Sequence, residues 1–310
     1  MRFSICSQAL SAILVLSALL PALGWSATAC SQHFALGAAP VITNPKLQPR
    51  TREVCFEAYA VLHSGLSRTP LYAAEHLTRA NLEAARTLSR KDSFHPESAL
   101  PAPERAELSD YSRSGYDRGH MAPNGDMPTR SAQAESFSLA NMVPQVHANN
   151  AGVWAGIEGA VRQLAIDEGE LYVVSGPAFL GGDLKQIGNV LVPTHIWKVV
   201  YSPRQQKAGA YLVTNDETRD YAAMSVSDLG KLVGVQALPG VAQAIRDAGM
   251  SLPRPINTQG GGRKKNRDDA HRPQRSDRDA VLLPAGEDDG GYTLKDLSRS
   301  VMEAIPRAGR

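Results

Sequence analysis

Three apolar runs in the second half of the chain place the tightest limit on its fold. "LYVVSGPAFL" (171–180), "VLVPTHIWKVVY" (190–201) and "GAYLVTN" (209–215) are rich in Val, Tyr and Leu and read as strands of one sheet. Just before them, "AGVWAGIEGAVRQLAIDEG" (151–169) sets Trp154, Ile157, Val161, Leu164 and Ala165 on one face of a helix that ends near Gly169. "EVCFEAYAVLHS" (53–64) alternates as a strand does. Residues 70–90 read as a helix, with Leu71, Ala74, Leu77 and Leu82 near helical spacing, and 91–114 as loop. Short helices are expected at Val226–Val233 and Val241–Ala248. Residues 30–52, with Pro40, Pro45 and Pro49, form an extended lead-in to a domain spanning 53–253.

The two ends are of another character. Arg2, the apolar "ALSAILVLSALLPALGW" and the small-x-small site Ala27-Thr28-Ala29 describe a secretory signal peptide over 1–29. Pro21 and the shortness of the run weigh against a membrane anchor, and Ala27, three before Cys30, against a lipoprotein. Cys6 would leave with the signal. Cys30 and Cys55 would remain as a pair in an oxidising compartment and are expected to be bridged. These features give a secreted or periplasmic protein without stable membrane association. From 254 to 310 the chain is a polar tail, and 257–279 is glycine-rich, charged and expected to be disordered. Its Arg263, Lys264, Lys265 and Arg267 could touch an anionic surface or stay solvated. "YTLKDLSRSVMEAI" (292–305) could form a terminal helix. A net charge of +2 does not by itself imply nucleic acid, so any such partner needs local basic patches.

"GYDRGHMAPNGDM" (115–127) concentrates chemistry. Arg118 and His120 are i and i+2, so in a strand they face one cleft. Gly119 between them would allow a ligand to approach closely. Arg offers a two-pronged phosphate contact and His a base poised near neutral pH. Asp117 and Asp126 look like the obvious metal ligands. A second element lies in "LANMVPQVHANNAGVWAGIE" (139–158). Asn149 and Asn150 stand where an Asn caps a helix. On a regular helix Asn150, Trp154 and Glu158 share one side, about 80° apart over eight residues. An amide oxygen and a carboxylate so placed suit a hydrated Mg2+ and its phosphate; an exposed helical Glu158 is the plainer reading.

Taken together, "YDRGHMAPNGD", "NMVPQ", "NNAGVW" and "IE" resemble the DNA/RNA non-specific endonucleases, the group of the Serratia nuclease and endonuclease G. The likeness covers roughly residues 53–240, including "VVSGPAF" and "VPTHIWKVV". It implies an α+β fold: a ββα-metal (His-Me finger) core on a mixed, mainly antiparallel sheet with flanking helices. It also implies roles. His120 would be the general base, Asn150 the direct Mg2+ ligand, Glu158 a holder of the metal's waters, and Arg118 the phosphate-binding group. Asn141 and Gln145 would support the site and Asp117 would orient its loop. The family has a further arginine shortly before an aromatic; Arg90, four before Phe94 and beside Lys91, fits that place. The implied activity is Mg2+-dependent hydrolysis of DNA and RNA to 5′-phosphate ends, with Mn2+ able to substitute. Two other readings stand beside it. One is a nucleic-acid-binding protein of the same fold acting in DNA uptake without turnover, for which intact His120, Asn150 and Glu158 are unneeded. The other is a serine hydrolase using Ser175 and His195, which lacks the Gly-x-Ser-x-Gly elbow. The sequence identifies neither an inhibitor partner nor an oligomeric state.

Overall fold

The computed structural model describes residues 28–256. The described residues open with three 3-10 turns (Ser31–His33, Ala35–Gly37, Pro45–Leu47) and a short β1 (Val41–Ile42). β2 (Thr51–Cys55), β3 (Tyr59–Ser64) and β4 (Thr69–Thr78) lead into α1 (Arg79–Arg86). Next come α2 (Leu108–Tyr111), β5 (Asp117–His120), α3 (Arg130–Ser136) and β6 (Met142–Gln145). A π-helical segment, Asn149–Trp154, runs into α4 (Ala155–Glu168). After β7 (Glu170–Ala178) come the two-residue β8 (Gln186–Ile187) and β9 (Val190–Leu191), then β10 (His195–Ser202), β11 (Lys207–Thr214) and β12 (Tyr221–Met224). α5 (Val226–Val233), β13 (Val235–Gln236) and α6 (Gln243–Ala248) follow.

The fold is α+β. Seven strands form one sheet in the order β12-β11-β10-β7-β4-β3-β2, and every pairing is antiparallel. The sheet has an apolar layer on each face. On one side Phe34, Trp197, Leu212, Leu229 and Val233 pack under the N-terminal turns and α5. On the other, Leu82, Met121, Val143, Trp154, Ile157 and Val161 pack under α1, α4 and the two-stranded β5–β6 ribbon. Ribbon and α4 make the ββα unit.

Two sequence readings change here. Residues 70–90 are not one helix: Thr69–Thr78 is a strand and only Arg79–Arg86 is helical. β4 is buried on both faces, so it lacks the alternation of a half-exposed strand, and its apolar residues fell at spacings that mimic a helix. Thr78 ends the strand and caps the helix, its hydroxyl accepting from the Asn81 amide. "EVCFEAYAVLHS" is two strands, because a turn closed by the Phe56 amide on the Tyr59 carbonyl folds β2 onto β3.

Residues 30–52 are mostly 3-10 turns with the short β1 and the start of β2, rather than one extended lead-in, and they are part of the body. Cys30, Phe34 and Ala35 are buried in the first layer, β1 pairs with β13, and a Cys30–Cys55 disulfide ties the segment to the end of β2. Residues 1–27 of the proposed 1–29 signal peptide, the tail from residue 257 and the 292–305 helix lie outside the described residues. Among the described residues no helix is long and apolar enough to cross a membrane.

Candidate active site

β5 carries Asp117, Arg118, Gly119 and His120 and pairs with β6, Asp117 opposite Gln145 and His120 opposite Met142. Strand alternation puts Arg118 and His120 on one face, and both meet Phe94. The Arg118 guanidinium lies 4.3 Å from the Phe94 ring centre and the His120 ring 5.9 Å from it. Phe137 closes on the imidazole edge-on at 5.3 Å, and Arg90 sits 5.2 Å over the Phe137 ring. Arg90, Arg118 and His120 therefore converge on one aromatic box, although Arg90 lies about thirty residues upstream.

His120 is 9% exposed, and its Nε2 is enclosed without a partner. Burial drives its pKa down to about 3; the Arg90 charge acts in the same direction and Asp92 opposes it. The imidazole is therefore neutral at ordinary pH. Asn141 fixes the chain that follows: it is buried, accepts from the Ala122 amide and donates to the Ala122 and Ser136 carbonyls at 2.9–3.0 Å.

The helical side joins this strand through Asp117. The Asp117 carboxylate accepts from Asn150 Nδ2 at 2.9 Å and lies 2.8 Å from His147 Nδ1. Neither Asn caps the helix by its side chain. Asn149 is buried, accepts from Gln145 Nε2 at 2.6 Å and donates to the Thr214 carbonyl at 2.7 Å. The regular-helix spacing of Asn150 and Glu158 does not hold either. Asn149–Trp154 is π-helical, and Gly152 leaves helical geometry (φ −105°, ψ −108°). π-Segments are common at functional sites because they re-aim side chains.

Glu158, in the first turn of α4, is half-buried. Desolvation pushes its pKa up to about 7, against the pull of Lys198 and Arg162. The Trp154 indole bridges the two halves: Nε1 donates to the His120 carbonyl at 3.3 Å and also hydrogen-bonds Glu158. Below lies a set of groups that the sequence reading missed. Lys198 of β10 is fully buried, donates to Ser175 Oγ at 2.6 Å and sits 5.0 Å over the Trp154 ring. Arg162 pairs with buried Asp126. Glu75 of β4 is buried with neither oxygen partnered, and burial raises its pKa well above the usual range. One signal was available: Lys198 is the lone cation in the apolar run "IWKVVY". Glu75 was hidden by the helical reading of β4.

Three further readings are corrected. Gly119 does not make room for a ligand. A Cβ there would lie 1.9 Å from Gln145 Oε1 and 2.8 Å from Gln145 Cβ, so the glycine lets the ribbon close. Asp126 is taken by Arg162 and is not free to bind a metal. Ser175 is held by Lys198, while His195 pairs with Ala178, three residues further along, and bonds Thr194. The two form no catalytic dyad.

The model of the DNA/RNA non-specific endonuclease family matches residues 38–244. The chain belongs to that family. This endonuclease is thus a metal-dependent enzyme that hydrolyses phosphodiester bonds. It is 33% identical over 260 residues to a nuclease of Nostoc sp., covering 78% of this chain and 90% of that one. To the mitochondrial nuclease EXOG of Homo sapiens it is 33% identical over 213 residues, which are 61% of this chain and 57% of that protein. Among solved structures, the EndoG/EndoGI complex, described as showing the mechanism of EndoG inhibition, matches with a TM-score of 0.58 and 27% identity. That match covers 62% of this chain and 88% of the other.

Proposed function

We propose that this endonuclease is secreted or periplasmic, works with Mg2+ (Mn2+ substituting), and cuts both DNA and RNA to leave 5′-phosphate ends. The observation that carries the reading is the Asn150–Asp117 hydrogen bond, which fixes the helical amide beside the strand of Arg118 and His120. With Nδ2 committed to Asp117, Asn150 keeps Oδ1 for a cation. A neutral amide oxygen, with the Glu158 carboxyl further along in the first turn of α4, is a hard donor set suited to a hydrated Mg2+. Asn150 would bind the ion and Glu158 its waters. The bound ion would clamp phosphate oxygens and offset the charge developing on the leaving oxygen.

The chain's own residues do the rest. His120 Nε2 is sealed off, so Nδ1 is the nitrogen left to meet water. Being neutral, it takes a proton as the water oxygen bonds to phosphorus. The bond to the 3′ oxygen breaks, that oxygen takes a proton from solvent water, and the products are a 3′-hydroxyl and a 5′-phosphate. Arg118, its plane held on Phe94, grips the phosphate, and Arg90 adds a second cation. Asp117 orients Asn150, Gln145 holds Asn149, and Asn141 holds the chain after His120. The signal-like N-terminus and the Cys30–Cys55 disulfide support an oxidising, non-cytosolic compartment.

Purified mature chain is expected to degrade circular plasmid in Mg2+ and to stop in EDTA. Degradation undiminished by EDTA would sink the metal reading. A chain that binds DNA but cleaves nothing with any divalent ion would favour the uptake reading.

A further inference from the structure

Arg90 and Phe94, two members of the aromatic box, ride on one loop, residues 89–94, and the residues from Ser89 to Ser93 are exposed. This loop makes no backbone–backbone hydrogen bond of its own. The last such bond before it runs from the Leu88 amide to the Ala85 carbonyl, and the next begins at His95. Within the loop, Arg90 Nε is paired with Asp92 at 2.5 Å. The guanidinium is thus tied to its own loop, and where the loop sits decides where the charge sits.

The loop is held at its two ends, and α3 with the residues just after it supplies both holds. At the far end the His95 amide donates to the carbonyl of Phe137, the C-cap of α3, at 3.3 Å, and the Leu139 amide donates to the His95 carbonyl at 2.9 Å. At the near end Arg130, the first residue of α3, takes Ser89 in both prongs of its fork. Nη1 donates to the Ser89 carbonyl and Nη2 to Ser89 Oγ at 3.1 Å. Nη1 also donates to Gln133 Oε1 at 3.0 Å, which braces the guanidinium against its own helix. Ser89 immediately precedes Arg90.

α3 is itself clamped to the sheet by the β2–β3 turn. The Glu57 carboxylate accepts from the Thr129 hydroxyl at 2.7 Å and from the Ser131 hydroxyl. The Glu57 amide donates to the Glu135 carboxylate at 2.7 Å, and the Tyr59 hydroxyl donates to the Glu135 carbonyl at 2.8 Å. A closed circuit results. It runs from α3 through Arg130 to Ser89 and Arg90, and returns through the Arg90 guanidinium over the Phe137 ring at the other end of the same helix. Without Arg130 the near end of the loop is free, and ordering Arg90 costs the conformational entropy of those residues each time substrate binds.

We propose that Arg130 is a positioning residue of the nuclease site: by gripping Ser89 it sets the Arg90 guanidinium for the scissile phosphate. This deepens the nuclease reading and rests on it. Arg130 acts without touching substrate, and its planar fork matters as well as its charge.

The test measures plasmid cleavage in saturating Mg2+ by the full mature chain and its R130Q, R130K, R90A and R90A/R130Q variants. R90A removes a cation aimed at the developing charge and should lower kcat/KM by about 10²- to 10³-fold. R130Q leaves Arg90 present but loose and should lower it by about 5- to 50-fold, within the roughly 10²-fold of a 1 Å misplacement. In the R90A background the same change should alter the rate by less than about twofold, because nothing is left to position. R130K keeps the charge but not the fork, so it should behave like R130Q. An R130Q protein that cuts like the parent overturns the proposal. So does an R130Q effect of equal size with and without Arg90, which a direct substrate contact or a general loss of folding would give. An R130K protein that cuts like the parent overturns it too, since charge alone would then suffice. An R90A protein that cuts like the parent overturns it by removing what Arg130 positions. A parent that cuts nothing with any divalent ion instead overturns the nuclease reading, and the proposal with it.

Discussion

Replacing Gly119 with Ala tests whether the ribbon's closeness sets the catalytic geometry. The added Cβ would sit 1.9 Å from Gln145 Oε1, 2.8 Å from its Cβ and 2.9 Å from its Cδ. Gln145 cannot swing aside: it is fully buried and its Nε2 donates to Asn149, which is itself held by the Thr214 carbonyl. β5 and β6 must separate instead. Overpacking of this kind destabilises by about 1–3 kcal/mol, and a Gln145 torn from Asn149 leaves buried groups unpaired for about 1–3 kcal/mol more. A total of about 2–6 kcal/mol leaves a protein of mid-range stability folded at 25 °C but lowers its unfolding midpoint by roughly 4–24 °C. The separation also moves His120, the next residue, and disturbs Asn149, the neighbour of Asn150. A displacement near 1 Å lowers the rate by about 10²-fold. The assay is plasmid cleavage at 25 °C in saturating Mg2+, run beside a thermal scan. Gly182→Ala is the control, since nothing lies within 4 Å of a Cβ there. A Gly119→Ala protein that cuts and melts like the parent refutes the argument.

Three further outcomes are expected. His120→Ala should lower the cleavage rate by about 10² to 10⁴ while leaving duplex affinity in EDTA intact; parent-like cleavage would remove His120 from the mechanism. The same substitution should change how stability depends on pH. The folded state holds His120 near 3 against an ordinary 6.5, so the unfolded chain takes up a proton first and this group's contribution is lost as pH falls below 6.5. The parent's stability advantage over the variant should narrow by about 2 kcal/mol between pH 7 and pH 5. Glu158, raised to about 7, acts in the opposite direction but is common to both proteins; parallel unfolding curves across that range would contradict the burial argument. Breaking the Cys30–Cys55 link, which closes a 25-residue separation, should destabilise by about 3.5 kcal/mol through chain entropy. The readout is a lower unfolding midpoint in reducing agent, and an unchanged midpoint would show that the N-terminal turns hold by packing alone.

The site was legible where chemistry lies in short-range order. Arg118 and His120 share one face of β5 because alternate residues of a strand do, and that needs no tertiary information. The strands at β7, β10 and β11, rich in Val, Tyr and Leu, and the helix α5 at Val226–Val233 were also readable. The failures have a common cause. β4 is sandwiched between two layers, so burial on both faces erased its period and hid Glu75. The π-segment could not be seen, since a helical pattern drawn from Asn150 to Glu158 assumes regular turns. Gly119 looked ready for a ligand because Gln145, twenty-six residues on, becomes its neighbour only once β6 pairs with β5.

The sequence by itself determined the residue types of the site, their order, and the strand that carries the arginine and the histidine. These follow from side-chain chemistry and local periodicity. The tertiary structure alone decided their ionisation and alignment. Phe94 and Phe137, brought in from separate loops, enclose His120 and help keep it neutral. Trp154 and Asp117 lock helix to strand, and buried Lys198 sits beneath. Burial, proton affinity and the direction of a hydrogen bond depend on what surrounds a group in space, and those neighbours come from distant parts of the chain.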